Sequence, residues 1–198
     1  MRSAGNRSLA VVIVALCIGT LSLKTSANDM KIIPGERIGD ASLSMSIDRV
    51  LKTLGAPSRV ERAEEMATYE WSSQQIRVFQ SLDTGIITNI RTYWKPSGGK
   101  ATGGATIPIP YKTEKGIGIG ANPEQVRQAY GDAGCSARDH ASPRGDFREL
   151  SWAELGLFFF VATDPRYPAE IANKVREIGV RRKGAQARAS GAEYKPCP

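Results

Sequence analysis

The chain contains one histidine, His140, and any acid–base or metal chemistry would have to begin there. Asp139 adjoins it and Asp146 follows closely, so a histidine with two carboxylates is in place. Their spacing fits no known ligand pattern, and the polar segment 139–148 reads as a surface loop. Ser97-Gly98-Gly99-Lys100 has the Ser-x-x-Lys order of acyl-serine enzymes. That nucleophile opens a helix, whereas this serine lies among glycines. The same glycines and Lys100 lack the spacing, and the Ser or Thr after the lysine, that a phosphate loop needs. Gly116, Gly118 and Gly120 miss the dinucleotide spacing, and no parallel βαβ unit follows them. No serine or cysteine has an identifiable base, and Glu61, Glu64 and Glu65 read as a solvated turn. The expectation is a non-enzymatic protein with no catalytic residue, no metal and no cofactor.

Cysteine is the other reactive type, and its use depends on the N-terminus. Arg2 and Arg7 precede an apolar run from Leu9 to Leu23, and Thr25-Ser26-Ala27 supplies small residues for cleavage, so residues 1–27 read as a signal peptide. As a membrane anchor the run of about fifteen residues falls short of the roughly twenty a span needs. A lipoprotein signal would need a small residue before its cysteine, but Leu16 precedes Cys17. Cleavage leaves Cys135 and Cys197 as the only two of the three cysteines, in a periplasmic or secreted setting where thiols oxidise. A bond between them is expected, with unpaired thiols or a bond to another chain as alternatives. Closing about sixty residues would add roughly 4 kcal/mol in the chain-entropy account. Cleavage also lowers the formal charge from +7 to +4, since three basic and no acidic residues leave. That bias favours acidic partners without demanding nucleic acid.

The elements that position these residues come in two copies. Met45 to Pro57, MSIDRVLKTLGAP, recurs as ANPEQVRQAYGDA at Ala121 to Ala133, with Val50 on Val126, Gly55 on Gly131, Leu43 on Ile119 and Ile33-Pro34 on Ile109-Pro110. One offset of 76 positions over that length implies duplication. Each copy predicts a short amphipathic helix with Ser46 or Asn122 as N-cap and a glycine at its end. Three strands should follow in the first copy, at Ala67 to Trp71, Ile76 to Gln80 and Ile86 to Trp94. Their counterparts are Leu150 to Trp152, Leu157 to Val161 and Lys174 to Val180, with insertions at Ser136 to Arg148 and Asp164 to Ile171. The expected class is α+β: two tandem repeats, each of short helices packed on an antiparallel meander. The corresponding division is repeat 1 at 30–94, a Gly/Pro-rich linker at 95–106, repeat 2 at 107–180, and a basic tail at 181–198 that the disulfide would tie.

Strand alternation then assigns faces. If Ile76, Val78, Ile86 and Ile90 face the helix, Arg77, Phe79, Asn89, Arg91 and Tyr93 face away. In the second copy Leu157, Phe159 and Val161 are inner, leaving Phe158, Phe160, Arg176 and Ile178 outer. Arg77, Phe79, Arg91, Tyr93, Phe158, Phe160 and Arg176 are therefore the candidate protein-binding residues, a mixture that binding hot spots favour. If the two outer faces pack on each other, the same residues are core.

Leu43-Ser44-Met45-Ser46-Ile47-Asp48-Arg49-Val50, Leu54-Gly55-Ala56-Pro57 and Tyr69-Glu70-Trp71 together resemble the repeat of the SmpA/OmlA (BamE-like) lipoproteins. Two such repeats in one secreted chain resemble the beta-lactamase inhibitory protein family. The resemblance implies a tandem helix-and-sheet unit whose sheets form one curved surface that grips another protein. Independently of it, Arg77, Arg91 and Arg176 would select a partner with an acidic rim. The resemblance departs at Ala133, which stands where the first copy has Pro57, and in lacking the lipid-bearing cysteine. A second class remains open, an envelope structural or assembly factor whose basic tail contacts anionic polymer or lipid.

Overall fold

The computed structural model describes residues 29–95, 109–132, 134–141, 145–185 and 195–197. The expected signal peptide, nearly all of the linker including Ser97 and Lys100, and much of the tail lie outside them.

Both helices form where their end signals stand. Helix α1 (Ile47–Leu54) starts at Ser46, whose side chain accepts from the Arg49 amide. Helix α2 (Pro123–Tyr130) starts at Asn122, which forms a reciprocal capping box with Gln125. These bonds satisfy amides that a helix's first turn leaves unpaired. Gly55 and Gly131 end the helices at φ 81° and 75°, a left-handed region where a Cβ is costly. Each helix buries one valine completely, Val50 or Val126.

The strands are β1 (Lys31–Ile33), β2 (Arg37–Ile38), β3 (Ala41–Ser42), β4 (Arg59–Arg62), β5 (Met66–Trp71), β6 (Ile76–Ser81), β7 (Ile87–Tyr93), β8 (Lys112–Thr113), β9 (Cys135–His140), β10 (Phe147–Trp152), β11 (Leu157–Ala162), β12 (Val175–Arg181) and β13 (Lys195–Pro196). A small sheet has the order β3-β2-β1-β8, and the main one the order β13-β9-β10-β11-β12-β7-β6-β5-β4. The α+β class expected from the sequence is therefore wrong. Strand makes up 42% of the structure and helix 13%, and there is one large antiparallel sheet of nine strands in place of short helices packed on meanders. The sheet is continuous because β7 and β12 pair with each other, Val180 opposite Ile90 and Ile178 opposite Thr92. A single core follows from this. It joins Val50 and Val126 to Trp71, Ile76, Val78, Trp152, Leu157, Phe159 and Ile178 on one face of the sheet.

The two halves of the sheet repeat each other in backbone detail. The indole of Trp71 donates to the carbonyl of Gly55 at 2.9 Å, and that of Trp152 donates to the carbonyl of Gly131 at 3.0 Å. Each tryptophan thus locks its sheet to the end of its helix. The turn after each has one left-handed residue, Gln75 (φ 55°) or Gly156 (φ 65°), whose carbonyl accepts from Tyr93 or Arg181 respectively. A bulge follows at the same place in both, between Phe79 and Gln80 and between Phe160 and Val161. Beyond it Gly85 and Asn173 are again left-handed, at φ 68° and 54°. The offset of 76 at the helices thus grows to 81 in β10 and β11 and to 88 in β12, each step absorbing an insertion. On this correspondence Arg91 is equivalent to Gly179, and these two residues are also paired across β7 and β12. A local twofold axis therefore passes through that pair.

Cys135 and Cys197 are joined, with Cα atoms 5.5 Å apart. The bond holds β13 along β9, where Lys195 pairs with Ala137 and Pro196 with Ser136. A disulfide of this kind fits an extracellular or periplasmic protein. Among the described residues no helix is long and apolar enough to cross a membrane.

Candidate functional site

Both helices pack on one face of the sheet, and the opposite face carries most of the charge and aromatic surface. Alternation along the strands sends Glu70, Arg77, Phe79, Arg91, Tyr93, Glu149, Ser151, Phe158, Phe160, Glu177 and Arg181 to that second face, one beside another across the register. Arg176 reaches it by a different route. Parity would turn it inward with Ile178, but the bulge at Phe160 and Val161 re-aims it, so it donates to Glu177 at 2.7 Å. Ile178 is fully buried in the helix-side core, so its expected outer placement was wrong. The bulge in β7 likewise buries Ile87 completely and leaves Ile86 exposed.

Arg91, on the local axis, organises the face. Its guanidinium carbon lies 4.4 Å from the ring centre of Phe79 and 4.8 Å from that of Phe160, two equivalent phenylalanines on either side of the axis. Phe158 is 5.4 Å away. Glycine at 179 permits this arrangement, because a Cβ there would stand 2.0 Å from the Phe158 ring. Arg77 covers the Tyr93 ring at 3.9 Å and pairs with Glu70 at 3.0 Å. Arg181 stacks on Phe158 at 4.4 Å and bonds Glu149 and Ser151. Stacked cations of this type contribute about 0.5–2 kcal/mol each, more as water is excluded.

Exposure divides the seven candidates into two tiers. Tyr93, Phe158 and Phe160 are 3%, 2% and 5% exposed, so they form a floor. Arg77 and Arg91 keep 27% and 26% of their side chains accessible and stand above it, while Arg176, at 20%, lies over the half-buried Phe147 and Tyr167. Phe79 is half-buried between the tiers. Glu177 sits among all three arginines, at 3.9 Å from Arg77, 3.7 Å from Arg91 and 2.7 Å from Arg176. Burial lowers the pKa of Arg91 while Glu177 and Glu149 oppose that shift, and the group stays charged at any biological pH. Burial and then the bond to Glu70 push Tyr93 up to about 12, so its hydroxyl remains a donor, to Glu70 Oε1 at 2.7 Å. Burial raises the pKa of Glu70, but the Tyr93 bond and the charge of Arg77 outweigh it and hold the carboxyl below its ordinary value.

Sequence reasoning missed the glutamates, Arg181 and His140. Arg181, expected to begin the basic tail, is the buried last residue of β12. His140, expected in a surface loop, closes β9, stacks on Phe147 at 4.7 Å and lies 3.3 Å from Glu149. The signal for both was available: each is opposite an outer-face residue once β9 and β12 are extended by the alternation of their neighbours. Among the described residues no group of three or more His, Cys, Asp or Glu side chains is placed to hold a metal. Arg77, Arg91, Arg176 and Arg181 stand against Glu70, Glu149 and Glu177, so the face carries a small excess of positive charge, with its guanidinium groups fixed on aromatic rings and paired with carboxylates of the same face.

No protein-family model and no curated protein matches the chain. Among solved structures it is similar to a DUF4309 family protein (YjgB) from Bacillus subtilis subsp. subtilis str. 168, at 15% identity and a TM-score of 0.44, covering 75% of this chain and 88% of that one. It is also similar to a cysteine-rich secretory protein (SAV1118) from Staphylococcus aureus subsp. aureus Mu50, at 13% identity and a TM-score of 0.40, covering 85% of this chain and 56% of that one. At these scores neither likeness carries an argument about function.

Proposed function

We propose that the chain is a non-enzymatic protein-binding module of the periplasm or extracellular space, delivered by its signal peptide, that grips an acidic partner with the helix-free face of its nine-stranded sheet. One observation carries this reading. Arg77 and Arg91 hold partly accessible guanidinium groups over a buried aromatic floor and Arg176 holds one over the half-buried Phe147, on a face against which no helix packs among the described residues. The floor fixes the arginines, so little side-chain entropy is lost when a carboxylate arrives. The arginines supply specificity and steering, as charged groups at interfaces do. The resemblance to the beta-lactamase inhibitory protein family supports an inhibitor-like grip on another protein, without extending to any particular enzyme.

The test is affinity capture of envelope proteins by the mature chain, repeated with Arg77→Ala and Arg176→Ala combined. A partner bound through this face should lose at least tenfold in affinity, while the melting temperature falls by only a few degrees. The tail offers the competing outcome. If the face variant binds as before and neutralising Arg182, Lys183 and Arg188 abolishes capture with a steep salt dependence, the chain is an envelope factor working through anionic polymer or lipid.

A further inference from the structure

The helix side of the sheet has an opening of its own. A cleft of about 330 Å³ opens beside the first turn of α2, with Pro123, Arg127, Arg148, Leu150 and Val161 among its walls. That volume is at the lower end of the roughly 300–1,000 Å³ usual for small-molecule sites. Thr163 and Asn173 add hydrogen-bonding groups to the lining.

The other half of the sheet has different side chains at the equivalent positions. By the correspondence of the halves, Leu150 is equivalent to Tyr69, Val161 to Gln80 and Asn173 to Gly85. The Tyr69 ring is 7% exposed, its hydroxyl donates to Gln80 at 3.2 Å, and Gln80 donates in turn to the Gly85 carbonyl at 2.9 Å. On the helix, Ile47 and Leu51 pack against the core in that half, where the second half has Pro123 and Arg127. A phenol ring and its hydrogen-bonded partner thus stand in the first half where the second has two aliphatic side chains, and the opening that remains beside α1 is the flatter one lined by Asp48, Leu51 and Lys52.

We infer that this cleft binds a small molecule of the phenol class, its ring lying on Leu150 and Val161 where Tyr69 lies in the other half. Asn173 and Thr163 are the partners for its hydroxyl. Arg127 and Arg148 provide cations for the ring face. Arg148 is itself held by Asp139, with bonds of 2.7 and 3.3 Å. The site is on the opposite side of the sheet from the arginine face, so its success or failure is separate from that of the protein-binding reading.

The probe is p-cresol, the tyrosine side chain as a free molecule, titrated into the mature chain and followed by amide NMR. Saturable shifts at Thr163 and Asn173, without matching shifts at Leu51 and Lys52 on α1, are expected. Leu150→Tyr should fill the cleft from within and weaken binding at least tenfold with no loss of melting temperature. Asn173→Gly keeps the left-handed backbone at φ 54°, removes the amide, and should weaken binding threefold or more. Shifts that do not saturate, or unchanged affinity in Asn173→Gly together with Leu150→Tyr, overturn the assignment. Should Leu150→Tyr not fold, unchanged affinity in Asn173→Gly alone overturns it.

Discussion

The two halves of the sheet agree where the backbone is constrained and differ in the side chains of the face opposite the helices. The tryptophan bond to the helix end, the left-handed turn residue and the bulge all occur twice. On the helix-free face the equivalent positions hold unlike residues: Arg77 against Phe158, Tyr93 against Arg181, Thr88 against Arg176 and Glu70 against Ser151. Only Phe79 and Phe160 are kept, and both touch Arg91. Duplication therefore supplied the frame, while the face diverged: Arg77, Arg176 and Arg181 lie over rings of their own half, and Arg91 lies over rings of both. A surface whose halves differ in this way is suited to a partner without twofold symmetry.

The largest expected effect tests that divergence directly. Phe160→Ala removes a ring that is 5% exposed and should cost about 3–5 kcal/mol in chemical denaturation. Phe79→Ala, at the half-buried equivalent, should cost about half as much. Equal losses would mean that the two phenylalanines have the same surroundings and that the asymmetry described above is superficial.

The next comparison is at the turns. A Cβ on Gly156 would stand 2.2 Å from the Arg181 carbonyl oxygen and 2.7 Å from the Gly35 Cα, so Gly156→Ala should cost about 3 kcal/mol or more. Gln75→Ala, in the same backbone conformation, should cost roughly 1 kcal/mol or less, since a side chain is already accommodated there. Urea melts of the two variants separate local crowding from the general cost of a left-handed residue.

A smaller effect should be equal in both halves. Trp71→Phe and Trp152→Phe each remove one indole donor and leave a helix-end carbonyl without it, for about 1–2 kcal/mol. A twofold difference between them would show that one helix is held by something other than this bond.

The smallest effect belongs to the second half alone, since the first has no histidine. Burial, only partly offset by Glu149, lowers the pKa of His140 below its ordinary value. The folded state therefore binds the proton less readily than the unfolded chain. The stability tied to neutral His140 is complete above the unfolded value near 6.5 and is lost as pH falls below it. Thermal melts at pH 7 and pH 5 should show a smaller acid loss for His140→Phe than for the natural chain.

Local patterns were legible in the sequence, and the joins between them were not. The helix caps at Ser46, Gly55, Asn122 and Gly131 fall where side-chain chemistry placed them, and β5, β6 and β11 begin within one residue of expectation. Strand β4, with sequence RVER and every residue exposed, has no apolar alternation to reveal it. Strand β9 was read as a polar insertion because its outer residues, Ser136, Arg138 and His140, are polar and only its pairing with β10 and β13 reveals it as a strand. The pairing of β7 with β12, which overturned the expected class, links residues far apart in the chain and leaves no local signature. The bulges moved Ile87 inward and Arg176 outward against strict alternation, so the expected faces of Ile86 and Ile178 were wrong. The tiering of rings beneath arginines depends on three-dimensional stacking that alternation does not encode.

The pairing of Arg91 with Gly179 also bears on why the halves are covalently linked. In a homodimer of half-chains, the same residue would stand at both positions beside the symmetry axis. Two arginines would oppose like charges at the seam, and two glycines would leave no cation between Phe79 and Phe160. Joining the copies into one polypeptide frees each position to mutate alone, and a large residue can then sit against the smallest one. By this reasoning the fused chain can build a central cation that no symmetric pair of its halves could hold.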